Sequence, residues 1–144
     1  MKIYLAGPLF TAAELQFNKE LKLLLEKIGH KVWLPQEKEP RTKTAKAIFL
    51  EDVKGIDWAD IVVANMDGAD PDSGTCWECG YAYRRKPVVV FRTDFRVDKN
   101  IKLGPYNLMM WASATECLDG PYKSAKALAI KLKPVLRKIQ TALA

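Results

Sequence analysis

Asp60-Ile-Val-Val-Ala-Asn65 is the stretch on which the fold turns. Its four consecutive apolar residues, three of them β-branched, cannot alternate between a wet and a dry face. The run therefore reads as a strand buried on both sides, the central strand of a parallel sheet. Upstream, Lys2 to Ala6 reads as a second buried strand, closed by the turn signal Gly7-Pro8. Phe17, Leu21, Leu24, Leu25 and Ile28 then recur at helical spacing, with Gly29 placed to end the helix. Lys31 to Leu34 forms the next strand, stopped by Pro35. Gln36 to Lys46 is polar and Pro40 bars helix, so the expectation is an exposed, mobile loop placed to act as a lid. Ile48 to Ile56 has helical spacing again. Downstream, polar Met66 to Asp72 precedes a helix from Ser73 to Arg85, then Lys86-Pro87 and the strand Val88 to Phe91. A final helix from Tyr122 to about Leu143 carries Leu128, Leu132, Val135, Leu136 and Ile139 on one side, and Pro134 should interrupt and kink it. Strand and helix in alternation call for an α/β, doubly wound parallel sheet joined by right-handed crossovers. Such sheets bind ligands beyond the carboxyl ends of their strands. The candidate site residues are thus Gly7 to Phe10, Asn65 to Glu78, and Arg92 onward.

Composition bounds the function. A chain of 144 residues, 49% hydrophobic and 28% charged, has material for a single domain over residues 1–144. No apolar run approaches the ~18 residues of a membrane span, and the opening segment lacks the length of a signal peptide. Three cysteines are odd in number and too few for a disulfide framework, so the expected setting is the cytoplasm. The net charge of +6 suggests a polyanion partner until its distribution is read. Residues 1–120 are balanced, and the whole excess (Lys123, Lys126, Lys131, Lys133, Arg137, Lys138) lies in the last 24 residues. Those cations flank a core stripe and lack interleaved aromatics, which describes a solvated helix face and not a nucleic-acid surface. Glu51 to Glu78, by contrast, holds eight carboxylates against the single cation Lys54, a stretch that repels phosphate.

Within that stretch, Asp72 or Ser73 is a natural N-cap, and Glu78 falls on the second turn of the helix so opened, beside Trp77, Tyr81 and Ala82. A carboxylate among aromatics is placed to act chemically. Cys76 and Cys79 form a C-x-x-C, but an acid lies between the thiols and only His30 and Cys117 remain as further ligands. Neither a redox pair nor a zinc site is indicated, and both thiols read as core. Gly7-Pro8-Leu9-Phe10 has one glycine and no following Lys-Ser/Thr, so it is no P-loop, and no G-x-G-x-x-G is present. What remains is several carboxylates with Tyr4, Phe10, Trp58, Trp77 and Tyr81. That is a set suited to glycosyl chemistry, with a carboxylate at the sugar carbon and aromatics against a flat ring.

Four pieces in order carry a resemblance: Ile3-Tyr-Leu-Ala-Gly-Pro-Leu-Phe10; Asp52 eight residues before Asp60-Ile-Val-Val-Ala; Asp72-Ser-Gly-Thr-x-x-Glu78-x-Gly-Tyr-Ala82; and Tyr106-Asn-Leu-Met109. Over residues 3 to about 111 the chain resembles the nucleoside 2-deoxyribosyltransferase family. The resemblance implies a flavodoxin-like doubly wound sheet of about five strands with helices on both faces. It further implies transfer of a 2-deoxyribosyl group between nucleobases with retention, no cofactor or metal, and a place in nucleotide metabolism and purine salvage. Carried over by position, Glu78 matches the nucleophile and Tyr4 the tyrosine that orients it. Asp52 and Asp72 match the two aspartates lining the site, one handling the base's proton and Asp72 also binding a sugar hydroxyl. Phe10 matches an aromatic near the base, and Gly7, Ser73, Gly74 and Met109 fall in the substrate-binding motifs. Asn107 matches an asparagine lent to the neighbouring subunit, which implies a homo-oligomer, a dimer or larger. The partners so implied are a 2′-deoxynucleoside and a free nucleobase. A related family that hydrolyses deoxynucleoside 5′-monophosphates shares most of these positions but has a serine where Asp72 stands. A non-enzymatic flavodoxin-like nucleotide-binding domain would leave Tyr4, Asp52, Asp72, Glu78 and Asn107 without a role.

Overall fold

The computed structural model describes residues 1–94, 96 and 104–144. Of the segment from Arg92 onward, residues 95 and 97–103 lie outside the described residues. Five strands, β1 (Lys2–Ala6), β2 (Lys31–Trp33), β3 (Ile61–Asn65), β4 (Val88–Arg92) and β5 (Glu116–Asp119), form one parallel sheet in the order β2-β1-β3-β4-β5. That order is flavodoxin-like, with β3 in the centre as its apolar run requires. The helices are α1 (Ala12–Lys27), α2 (Ala45–Trp58), α3 (Ser73–Ala82), α4 (Leu108–Ser113) and α5 (Ala125–Leu143). Among the described residues no helix is long and apolar enough to cross a membrane.

Period-two alternation along the strands separates two cores. Ile3, Leu5, Ile61, Val63, Val89 and Phe91 face α1 and α5, meeting Leu21, Leu25, Leu128, Leu132 and Leu136. Tyr4, Ala6, Val62, Ala64, Val88 and Val90 face the other way, onto Ile56, Cys79, Ala82, Tyr106 and Met110 of α2, α3 and the α4 region. The basic residues of α5 lie on its exposed side, opposite the core stripe.

Several local expectations change. Helix α5 runs unbroken through Pro134, because the hydrogen bond that proline removes would have joined exposed Ile130, where water can replace it. Helix α3 ends at Ala82, short of Arg85. The irregular loop is only residues 38–44, since Pro35–Glu37 forms a 3₁₀ turn and Thr44 caps α2 by accepting from the Ala47 N–H. Gln36 is tied down, its amide donating to the Leu15 carbonyl at 2.9 Å and accepting from Asn18 at 3.3 Å. Strand β5 and helix α4, four and six residues long, had no signal of their own in the sequence. Of the two thiols read as core, Cys79 is buried but Cys76 is only half-buried, its Sγ 3.9 Å from the Pro71 carbonyl.

Candidate active site

The third residue of β1 points into the core under α2 and α3, which buries Tyr4 completely. Its hydroxyl donates to Glu78 Oε1 at 2.5 Å. Burial and the neighbouring Glu78 carboxylate hold the Tyr4 phenol far above its usual range, so it stays a donor at every working pH. Glu78 stands on the second turn of α3, half-buried. Burial raises its carboxyl from an ordinary 4.5 to about 7 against the opposing hydrogen bond from Tyr4, with the Asp52 and Asp72 carboxylates adding to the rise. Asp52 on α2 is likewise pushed up, by burial and by adjacent Glu51, with the Tyr4 hydroxyl opposing.

Asp72 is the N-cap of α3. Its Oδ2 accepts from the Thr75 backbone N–H at 2.8 Å and from Thr75 Oγ1 at 2.9 Å, with Thr75 itself 2% exposed. Among the described residues Oδ1 accepts no hydrogen bond, which leaves one oxygen for a ligand. Gly74 leaves room beside it, since a Cβ there would stand 3.2 Å from Asp72 Oδ2 and push the carboxylate by a few tenths of an ångström.

A cleft of about 430 Å³ separates α2 from α3, lined by Ala45, Ile48, Phe49 and Asp52 on one side and Gly74, Trp77 and Glu78 on the other. Phe49 meets Trp77 edge-on at 5.2 Å between centroids, and Tyr81 stacks on Trp77 at 5.2 Å. Ile48 and Asp52 also border a smaller cavity of about 140 Å³ under Leu9, Gln36 and Lys43. The segment expected to act as a lid thus lies over the Asp52 side of the cleft. Among the described residues no three His, Cys, Asp or Glu side chains cluster closely enough to hold a metal ion.

Tyr4, Asp52, Gly74 and Glu78 are therefore brought together, with Asp72 near enough to act on Glu78 electrostatically. The remaining candidates stand apart. Phe10 is 75% exposed, in a loop fixed by the capping box of Thr11 and Glu14, whose carboxylate accepts from the Phe10 N–H at 2.9 Å. Gly7 is held under β3, where a Cβ would come 3.0 Å from the Asn65 Cβ. Ser73 is exposed at the start of α3. Asn107 caps α4, its side chain accepting from the Met109 N–H at 3.0 Å, and Met109 is 70% exposed; neither lines the Glu78 cleft. Trp58 packs on Trp33 at 5.7 Å, away from the cleft. Ile48 and Phe49 were not singled out as cleft residues by the sequence, for nothing in a helical apolar residue tells a cleft wall from a core contact.

The family model described as nucleoside 2-deoxyribosyltransferase matches residues 3–109. An uncharacterised protein of Ureaplasma parvum is 32% identical over 120 residues, covering 69% of this chain and 75% of that one. A conserved protein of Enterococcus faecalis superposes with a TM-score of 0.74 at 27% identity, covering 92% of this chain and 97% of its own. The 2-deoxyribosyltransferase of the psychrotolerant Bacillus psychrosaccharolyticus superposes with a TM-score of 0.69 at 28% identity, covering 90% of each chain.

Proposed function

The chain belongs to the nucleoside 2-deoxyribosyltransferase family and is an enzyme of the deoxyribosyltransferase and N-glycosidase class, and from that premise we propose that it exchanges nucleobases on 2-deoxyribose by a retaining double displacement. The observation that carries this reading is the Tyr4–Glu78 hydrogen bond at the floor of an aromatic-walled cleft that Asp52 also lines. In the first step the Glu78 oxygen not held by Tyr4 attacks the anomeric carbon while the bond to the base nitrogen breaks. The electron pair leaves with the base, and Asp52, its carboxyl raised by burial, supplies the proton. In the second step an incoming base attacks the same carbon, Glu78 departs as carboxylate, and Asp52 takes the proton back. Two inversions give net retention.

Asp72 accounts for the choice of an unphosphorylated nucleoside. Its carboxylate already occupies the Thr75 N–H at the start of α3, so a phosphate there would meet a negative charge in place of a free donor. Its Oδ1, which accepts from none of the described residues, is the acceptor for a sugar hydroxyl. Asn107 and the exposed apolar residues Leu108, Met109 and Trp111 around α4 support a homo-oligomer in which Asn107 completes the neighbouring site.

The test supplies 2′-deoxyinosine and adenine in one reaction and a deoxynucleoside 5′-monophosphate in water in another. Deoxyadenosine formed only when adenine is present is the expected result. Base released from the monophosphate alone would make the protein a nucleotide hydrolase and overturn the role given to Asp72.

A further inference from the structure

Arg92 closes β4 with a side chain 1% exposed, yet every group that accepts from its guanidinium among the described residues is a backbone carbonyl. Nη1 donates to Met66 O at 3.0 Å and Nη2 to Gly68 O at 2.8 Å, both on the turn that follows β3. Nη2 also donates to Arg96 O at 2.8 Å, and Nε to Asp94 O at 3.3 Å, on the segment that follows β4. Asp119 is near enough to feel this charge, but among the described residues no carboxylate accepts a hydrogen bond from it, and a charge so removed from water is costly and persists where its hydrogen bonds organise something else.

We propose that Arg92 is a positioning residue that clamps the turn after β3 and thereby fixes the Asp72 carboxylate at the mouth of the cleft. Between the clamp and Asp72 the chain has little freedom. Gly68 sits at φ +112° with the Asp70 carbonyl folded back over it, 2.7 Å from where a Cβ would be, and the next residue is buried Pro71, whose ring locks φ. Asp67 braces the same turn from the other side, its carboxylate accepting from the Thr93 N–H and Oγ1 at 2.6 Å each and from the Asp94 N–H at 2.8 Å. Displacing the clamp therefore loosens the turn that leads into Asp72 and opens its cap on the Thr75 N–H, while Glu78, a turn further into α3, stays held by Tyr4 on β1. This inference rests on the reading of Asp72 as the group that grips the sugar.

The experiment compares wild type with Arg92→Lys, which keeps the charge but cannot reach all four carbonyls. Two quantities are read: hydrogen exchange at the Gly68 and Thr75 amides without substrate, and KM and kcat for base exchange. The expected result is about tenfold faster exchange at both amides and KM raised about tenfold with kcat within about threefold, because a grip common to ground and transition states is uniform binding. Millimolar methylguanidinium added to Arg92→Ala should lower KM again by refilling the carbonyl cradle. Loss of kcat at unchanged KM, in proportion to protein unfolded, would reduce Arg92 to a fold-stabilising residue and overturn the inference. Unchanged amide exchange overturns it without reference to activity, whereas a wild-type protein lacking base exchange overturns the proposed function and leaves the amide readout to judge the clamp.

Discussion

Tyr4 and Glu78 are 74 residues apart in the chain and 2.5 Å apart in the molecule, phenol oxygen to carboxylate oxygen. The phenol favours the ionised form of Glu78 while burial opposes it, and burial wins, leaving the carboxyl at about 7. Removing the hydroxyl removes the opposing effect. Tyr4→Phe should carry the Glu78 carboxyl above about 7, so the rise of kcat/KM with pH moves to higher pH. A charge-assisted hydrogen bond of about 1.5–3 kcal/mol corresponds to roughly a 10- to 150-fold loss near pH 6 and a smaller loss near pH 9. A profile lowered equally at every pH would contradict this coupling.

Glu78→Gln separates chemistry from stability. The carboxyl is raised on folding, so its contribution is neutral below about 4.5, becomes unfavourable as pH rises between 4.5 and about 7, and is fully unfavourable above that. At ~1.4 kcal/mol per tenfold, the wild type carries a cost of about 3 kcal/mol at pH 8 that the amide does not. Glu78→Gln should therefore lose turnover, unfold later than wild type in urea at pH 8, and match it near pH 4.

Gly74→Ala tests the placement of Asp72 from the cleft side. The added Cβ, 3.2 Å from Oδ2, displaces the carboxylate by a few tenths of an ångström while alanine suits the exposed first turn of α3. KM for the deoxynucleoside should rise about three- to tenfold with stability within ~1 kcal/mol of wild type. Steady-state kinetics alongside urea unfolding checks both halves of the statement.

The face around α4 presents Met109 70% exposed between Leu108 and Trp111. The proposed homo-oligomer packs through this face, so Met109→Glu should lower the sedimentation coefficient to that of a single subunit and abolish base exchange while the subunit keeps its circular dichroism. A variant that stays assembled, or one that dissociates with full activity, would remove Asn107 from the neighbouring site.

Local pattern sufficed for most of this fold. The β-branched run at Ile61 to Ala64, the helical stripes of α1 and α5 and the turn at Gly7-Pro8 each state their own burial, because a strand covered on both faces and a helix covered on one leave periods that need no partner to be read. Charge placement was equally legible, and the four family motifs singled out Tyr4, Asp52, Asp72 and Glu78. Strand β5 was not legible: four residues at a sheet edge, with polar ends, gain their order from pairing with β4. Nor was it legible that Cys76 packs only half-buried at the margin of the core while Cys79 lies inside it, that Phe49 and Trp77 wall one cleft, or that Arg92 reaches back to the turn after β3. Those relations join residues on different elements, and their distances follow from how the crossovers seat α2 and α3 on a twisted sheet. Periodicity fixes which side of each element is apolar; only the packed sheet decides which side chains from separate elements meet, and that meeting is what gives Glu78 its burial, its hydrogen bond and its raised carboxyl.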